Sequence, residues 1–118
     1  MAETHHHISY VEIPAPDLDA AKAFYAAAFG WSFNDYGGQY VGIVAPDGAG
    51  EVGGLNPQGS PVRGDLLVLL YSEDLDATLA AVEAAGGTVA EPPYPYPGGR
   101  RFHFLDPAGN QLAVFAHR

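Results

Sequence analysis

The chain has 118 residues, 47% of them hydrophobic, no cysteine, and a formal charge of −9 from 14 Asp and Glu against five Lys and Arg. That length suits one domain with one core, and the missing cysteines exclude disulfides, thiolate metal sites and cysteine nucleophiles. The negative field disfavours nucleic acid and anionic membrane surfaces, no stretch reaches the roughly 20 apolar residues of a membrane span, and no apolar signal core precedes the first strand, so a cytoplasmic protein is expected.

Three histidines, His5, His6 and His7, stand before the first strand-like run. Neighbouring strand residues point to opposite faces, so at most His5 and His7 share a side. Three consecutive imidazoles therefore make a poor tridentate site, and the tract reads as a solvated terminal segment. Residues 8–13 alternate, with Val11 and Ile13 on one face and Ile8, Tyr10 and Glu12 on the other, which predicts a strand stopped by Pro14 and Pro16. Asp17 can cap a helix whose apolar stripe is Leu18, Ala21, Tyr25 and Ala28, flanked by Phe24 and Phe29 and closed by Gly30. Strands are expected near 31–36, 39–45 and 51–56, with Gly37-Gly38 and Pro46-Asp47-Gly48 as the turns between them. Trp31 and Phe33 suit either sheet core or a pocket wall.

The plan then starts again. Asp74-Leu75-Asp76-Ala77 repeats Asp17-Leu18-Asp19-Ala20 at a distance of 57 residues, and Leu105–Asn110 echoes Ala45–Gly50. Leu66–Tyr71 is a continuous apolar run that suits a strand buried on both faces. Asp74 caps a second helix with the stripe Leu75, Leu79, Val82 and Ala85, ended by Gly86-Gly87. Strands near 88–91, 100–105 and 110–116 follow. "EPPYPYPGG" at 91–99 carries four prolines and reads as an extended loop, over a cavity mouth or at a subunit contact, not as sheet interior. The division is one domain over 1–118, with a first module at about 5–56, a linker at 57–64 and a second module at about 65–117.

The tandem strand-helix-strand-strand-strand pattern resembles the vicinal oxygen chelate superfamily, which includes glyoxalases, extradiol dioxygenases and bleomycin-resistance proteins. The resemblance is carried by "VEIPAPDLDAAKAFYAAAFGW" at 11–31, "SEDLDATLAAVEAAGGTV" at 72–89 and "FLDPAGNQLAVF" at 104–115, and it covers essentially the whole chain. It implies an α+β fold of two βαβββ modules forming a cup-shaped mixed sheet with helices outside, and a two-fold dimer. Metal-dependent relatives place their ligands at positions that fall here on Tyr10, Gly54, Leu67 and Ala113. One phenol, one glycine and two aliphatic side chains cannot replace three or four converging imidazole or carboxylate donors. Neither a metal nor another cofactor is expected.

The inward positions that the resemblance implies are Tyr10, Glu12, Leu67, Leu69, Tyr71, Arg101, His103, Gln111, Ala113 and Phe115. Such a lining, mostly apolar with a few polar groups, suits a small organic molecule. The expected function is metal-independent binding of that molecule. Two enzymatic alternatives stay open. One is a metal-free glyoxalase-like lyase or dioxygenase with His103 or Glu12 as acid–base group. The other uses relocated ligands from His5, His7, Glu12 and His103. A cup packed shut by a Glu12 pair with Arg101 or His103 is the structural alternative.

Overall fold

The computed structural model describes residues 4–64 and 66–118. Residues 1–3 and Asp65, the expected start of the second module, lie outside the described residues. The elements run β1 (Val11–Pro14), α1 (Leu18–Phe29), β2 (Phe33–Asp35), β3 (Val41–Val44), β4 (Glu51–Asn56), β5 (Leu69–Tyr71), α2 (Leu75–Ala84), β6 (Thr88–Tyr96), β7 (Gly99–Leu105) and β8 (Gln111–Ala116). They form two four-stranded mixed sheets of the same plan, β1-β4-β3-β2 and β5-β8-β7-β6, each opening with a parallel pair.

Both helix starts follow from the sequence. The Asp17 carboxylate accepts from Ala20 N at 3.0 Å and the Asp74 carboxylate from Ala77 N at 3.1 Å, each satisfying a free amide of the first turn. Gly30 ends α1 at φ 72°, a left-handed conformation that costs glycine little.

One core serves both modules. Phe24 and Tyr25 of α1, Leu75 and Val82 of α2, Val41 and Leu55 of the first sheet, and Phe102, Phe104 and Val114 of the second are all buried in it. The two helices pack on each other, and Phe24 reaches across to Phe104 with ring centroids 5.9 Å apart. The helices therefore lie between the two sheets. Each sheet keeps one face against them and leaves the other bare, and within one chain the bare faces point away from each other.

Three expectations change. The first strand starts at Val11, and Ile8 is 92% exposed. The run Leu66–Tyr71 is not buried on both faces: only Leu69–Tyr71 is strand, Val68 and Leu70 turn toward the core, and Leu66, Leu69 and Tyr71 are 85%, 37% and 55% exposed. The segment 91–99 is not a loop. Most of it belongs to β6, which pairs with β7 through Tyr96↔Gly99, with register shifts between Val89 and Glu91 and between Glu91 and Tyr94. β6 is an edge strand, so a proline whose nitrogen faces outward forfeits no ladder bond, and the register shift between Glu91 and Tyr94 takes up the adjacent Pro92 and Pro93.

Candidate functional site

The bare face of the first sheet is built on two glycines. Glu12 pairs in register with Gly54, and Gly54 with Gly42, so the middle of the sheet has no side chain of its own there. Larger groups lie down over the gap. A Cβ on Gly54 would collide with the hydroxyls of Tyr40 and Tyr10, and one on Gly42 with the Glu51 carboxylate. Tyr40 Oη donates to Glu12 at 2.9 Å and lies 2.8 Å from Tyr10 Oη, while Asn56 Nδ2 donates to the other Glu12 oxygen at 2.8 Å. Tyr36 Oη and Asn34 Nδ2 donate to Glu51 at 2.5 and 3.0 Å. The Tyr36 bond, then the Asn34 bond, hold the Glu51 carboxyl below its ordinary range. The result is a tyrosine-rich face carrying two carboxylates.

The bare face of the second sheet is aromatic and cationic. Tyr71 and Phe115 are register partners with rings 5.4 Å apart, and Phe115 pairs onward with Arg101. Arg101 Nε donates to Tyr94 Oη at 2.5 Å, and its guanidinium lies 4.9 Å from the Tyr96 ring centre. His103 stands between Gln111 Nε2, 2.9 Å from Nδ1, and Tyr94 Oη, 2.9 Å from Nε2. With the Gln111 amide donating, Nδ1 accepts and Nε2 carries the proton toward Tyr94. Burial first, and then the Arg101 charge, lower the His103 pKa, with Glu91 opposing, which favours the neutral ring.

The structure thus gathers Arg101, His103 and Gln111 beside Leu69, Tyr71 and Phe115. Leu67 is half-buried before β5, and Ala113 sits fully buried beneath its neighbours, where it offers no contact surface. Tyr10 and Glu12 do not stand across from His103 in the same chain. They lie on the opposite bare face, and Glu12 bonds Tyr40 and Asn56, not Arg101 or His103. The cup is therefore not packed shut by that pair. Tyr94, Tyr36, Tyr40 and Glu51 were missed as members of these faces. The alternation of 39–45 was the available signal for Tyr40, whereas the place of Glu51 over Gly42 and the reach of Tyr94 depend on register and bulges that the sequence does not display.

The donor set does not fit a metal. Gly54, Leu67 and Ala113 offer no ligand atom, and among the described residues no group of three or more His, Cys, Asp or Glu could hold one. The relocated set of His5, His7, Glu12 and His103 is likewise not assembled.

A separate cavity of about 650 Å³ opens between the sheets on their helix side. Val11, Ile43, Phe29, Trp31, Val68 and Leu70 line it, and Trp31 stacks on Tyr25 at 4.6 Å, so it serves as both core and wall. The walls offer almost no polar side chain to orient a ligand. Among the described residues no helix is long and apolar enough to cross a membrane.

Sequence and structure comparisons agree on the class of molecule. The profile of the Glyoxalase/Bleomycin resistance protein/Dioxygenase superfamily matches residues 7–114. The anthracycline biosynthesis protein DnrV of Streptomyces peucetius is 33% identical over 112 residues, which cover 91% of this chain and 40% of that protein. The chain spans 40% to 44% of the length of several curated relatives. Among solved structures, TnmS3, an antibiotic binding protein from Streptomyces sp. CB03234, is 28% identical with a TM-score of 0.68, covering 98% of both chains. A lactoylglutathione lyase from Agrobacterium tumefaciens is 26% identical with a TM-score of 0.72, covering 97% of this chain and 96% of that one.

Proposed function

Because the chain belongs to the glyoxalase/bleomycin resistance protein/dioxygenase superfamily, we propose that it binds a small organic molecule without a metal, in a cup that two copies of the chain complete together. One observation carries the reading. The tyrosine and carboxylate face of the first sheet and the aromatic and cationic face of the second lie bare on opposite sides of one chain, with Tyr10 43% and Tyr71 55% exposed. A two-fold dimer sets the first face of each copy against the second face of the other, so one association closes two equal cups. Their charges are complementary, since Glu12 and Glu51 meet Arg101. The antibiotic-binding relative supports a ligand-binding role, and the missing donors at Gly54, Leu67 and Ala113 support metal independence.

The test is a panel of aromatic, carboxylate, amine and sugar compounds, screened by ligand-observed NMR against wild type and His103→Ala. Compounds should bind the wild type and lose affinity in the variant, while the melting temperature hardly moves. A large fall in melting temperature with unchanged binding would make His103 a core residue and sink the pocket.

A further inference from the structure

Four side chains on the second sheet stand in one cross-strand row. Register pairs Tyr71 with Phe115, Phe115 with Arg101, and Arg101 with Tyr94, across β5, β8, β7 and β6. Strands lie about 4.8 Å apart, so the row runs from two aromatic rings to a guanidinium and a phenol, with about 10 Å between Phe115 and Tyr94. That is the length of two fused aromatic rings with a short substituent. His117 flanks the aromatic end, its ring centre 5.3 Å from Tyr71 and 5.7 Å from Phe115.

The polar end can only donate. Tyr94 Oη accepts from Arg101 Nε, and from His103 Nε2 in the tautomer that Gln111 sets. Both its lone pairs are thus engaged, and its own proton is left for a partner beyond the cluster. The terminal nitrogens of Arg101 make no hydrogen bond or ion pair with other described residues, and the stack on Tyr96 fixes the guanidinium plane. A cation would be repelled by Arg101. A multiply charged anion would meet Glu91, the register partner of His103, within a chain of net charge −9. In the closed cup any anion would also meet Glu12 and Glu51 of the second copy, so a neutral acceptor oxygen suits these donors best.

We propose that this row recognises a planar aromatic ketone or quinone, the rings lying on Tyr71 and Phe115 and one carbonyl oxygen accepting from Tyr94 Oη and Arg101 Nη. The assignment rests on the cup reading and adds the chemical class of its ligand.

The probes are 2-acetylnaphthalene and its isostere 2-isopropenylnaphthalene, which has CH2 in place of the carbonyl oxygen. Both are titrated into the full chain. Wild type should bind the ketone about tenfold more tightly than the alkene, the discrimination expected where donors, one of them charged, go unpaired. Tyr94→Phe should erase most of that preference and leave the alkene affinity unchanged. Phe115→Ala should weaken both probes alike, which keeps the platform testable if the Tyr94 variant folds poorly. Equal wild-type affinity for ketone and alkene overturns the proposal, as does a Tyr94→Phe protein that keeps the preference. A wild type that binds neither probe overturns the row as a binding surface, and the wider panel above then shows whether the cup reading falls with it.

Discussion

Tyr25 Oη donates to Asp106 Oδ2 at 2.8 Å across 81 residues of sequence, joining α1 to the turn that follows β7. The same carboxylate accepts from the amides of Ala108, Gly109 and Asn110, and Asn110 Nδ2 also donates to it. Asn110 then reaches the other module, donating to Pro14 O at 2.6 Å, and the linker, accepting from Val62 N at 2.8 Å. The Asp-Pro-Ala-Gly-Asn turn is thus a joint between modules. Burial first, then Asp106, push the Tyr25 phenol far above its usual range, so it remains a donor throughout the working pH range.

Tyr25→Phe should therefore destabilise the chain by about 1–3 kcal/mol, because a buried carboxylate loses one partner while the ring still fills its place. Urea unfolding measures the loss, and ligand binding should be unaffected because Tyr25 faces away from both bare sheet faces. An unchanged unfolding midpoint would mean that the remaining bonds to Asp106 suffice.

The helices and their caps were legible because each is a local event: Asp17 and Asp74 need only the amides three residues on. Strand parity was legible once the family resemblance anchored it, and together they put Arg101 and His103 on one face. What the sequence concealed was relational. Alternation says that Tyr10 and His103 each leave the helix side, but not that the two helices come between their sheets. The prolines of β6 argued against a strand because edge position, which excuses them, is a property of the whole sheet. Tyr94 escaped for the same reason, since two register shifts decide that it meets Arg101 and His103.

Metal removal should change little. After dialysis against a chelator, elemental analysis should find substoichiometric zinc, nickel, iron and manganese, and the melting temperature should match that of the untreated protein. With Gly54, Leu67 and Ala113 at the family's ligand positions, nothing there can supply the three or four donors of a tight site. One firmly held ion per chain would contradict the reading.

Stability should depend on His103 in the mildly acidic range. Its folded pKa is lowered, chiefly by burial, so the unfolded chain takes up a proton near pH 6.5 where the folded chain resists it. Stability is then full above that pH and declines as pH falls through the unfolded and folded values. Against His103→Gln, which lacks this proton, the wild type should lose ground as pH drops from about 7 to 5. The faces around the ring carry Arg101, Glu91, Tyr94 and Gln111, and the two proteins share all of them. Urea midpoints that run parallel across that interval would show that His103 titrates alike in both states.

The dimer that closes the cups can be tested by exchanging charge across them. In the proposed assembly Glu12 of one copy faces Arg101 of the other, so Glu12→Arg and Arg101→Glu each set like charges across both cups of their own homodimer. Each variant alone should self-associate about tenfold or more weakly than wild type, read by light scattering over a dilution series. Mixing the two relieves both clashes, because one cup of the mixed dimer regains the wild-type pair and the other holds the reversed pair. The mixture should recover dimer at concentrations where neither variant forms it. Two variants that dimerise as well as wild type, or a mixture that behaves as the average of its parts, would mean that these two faces do not meet.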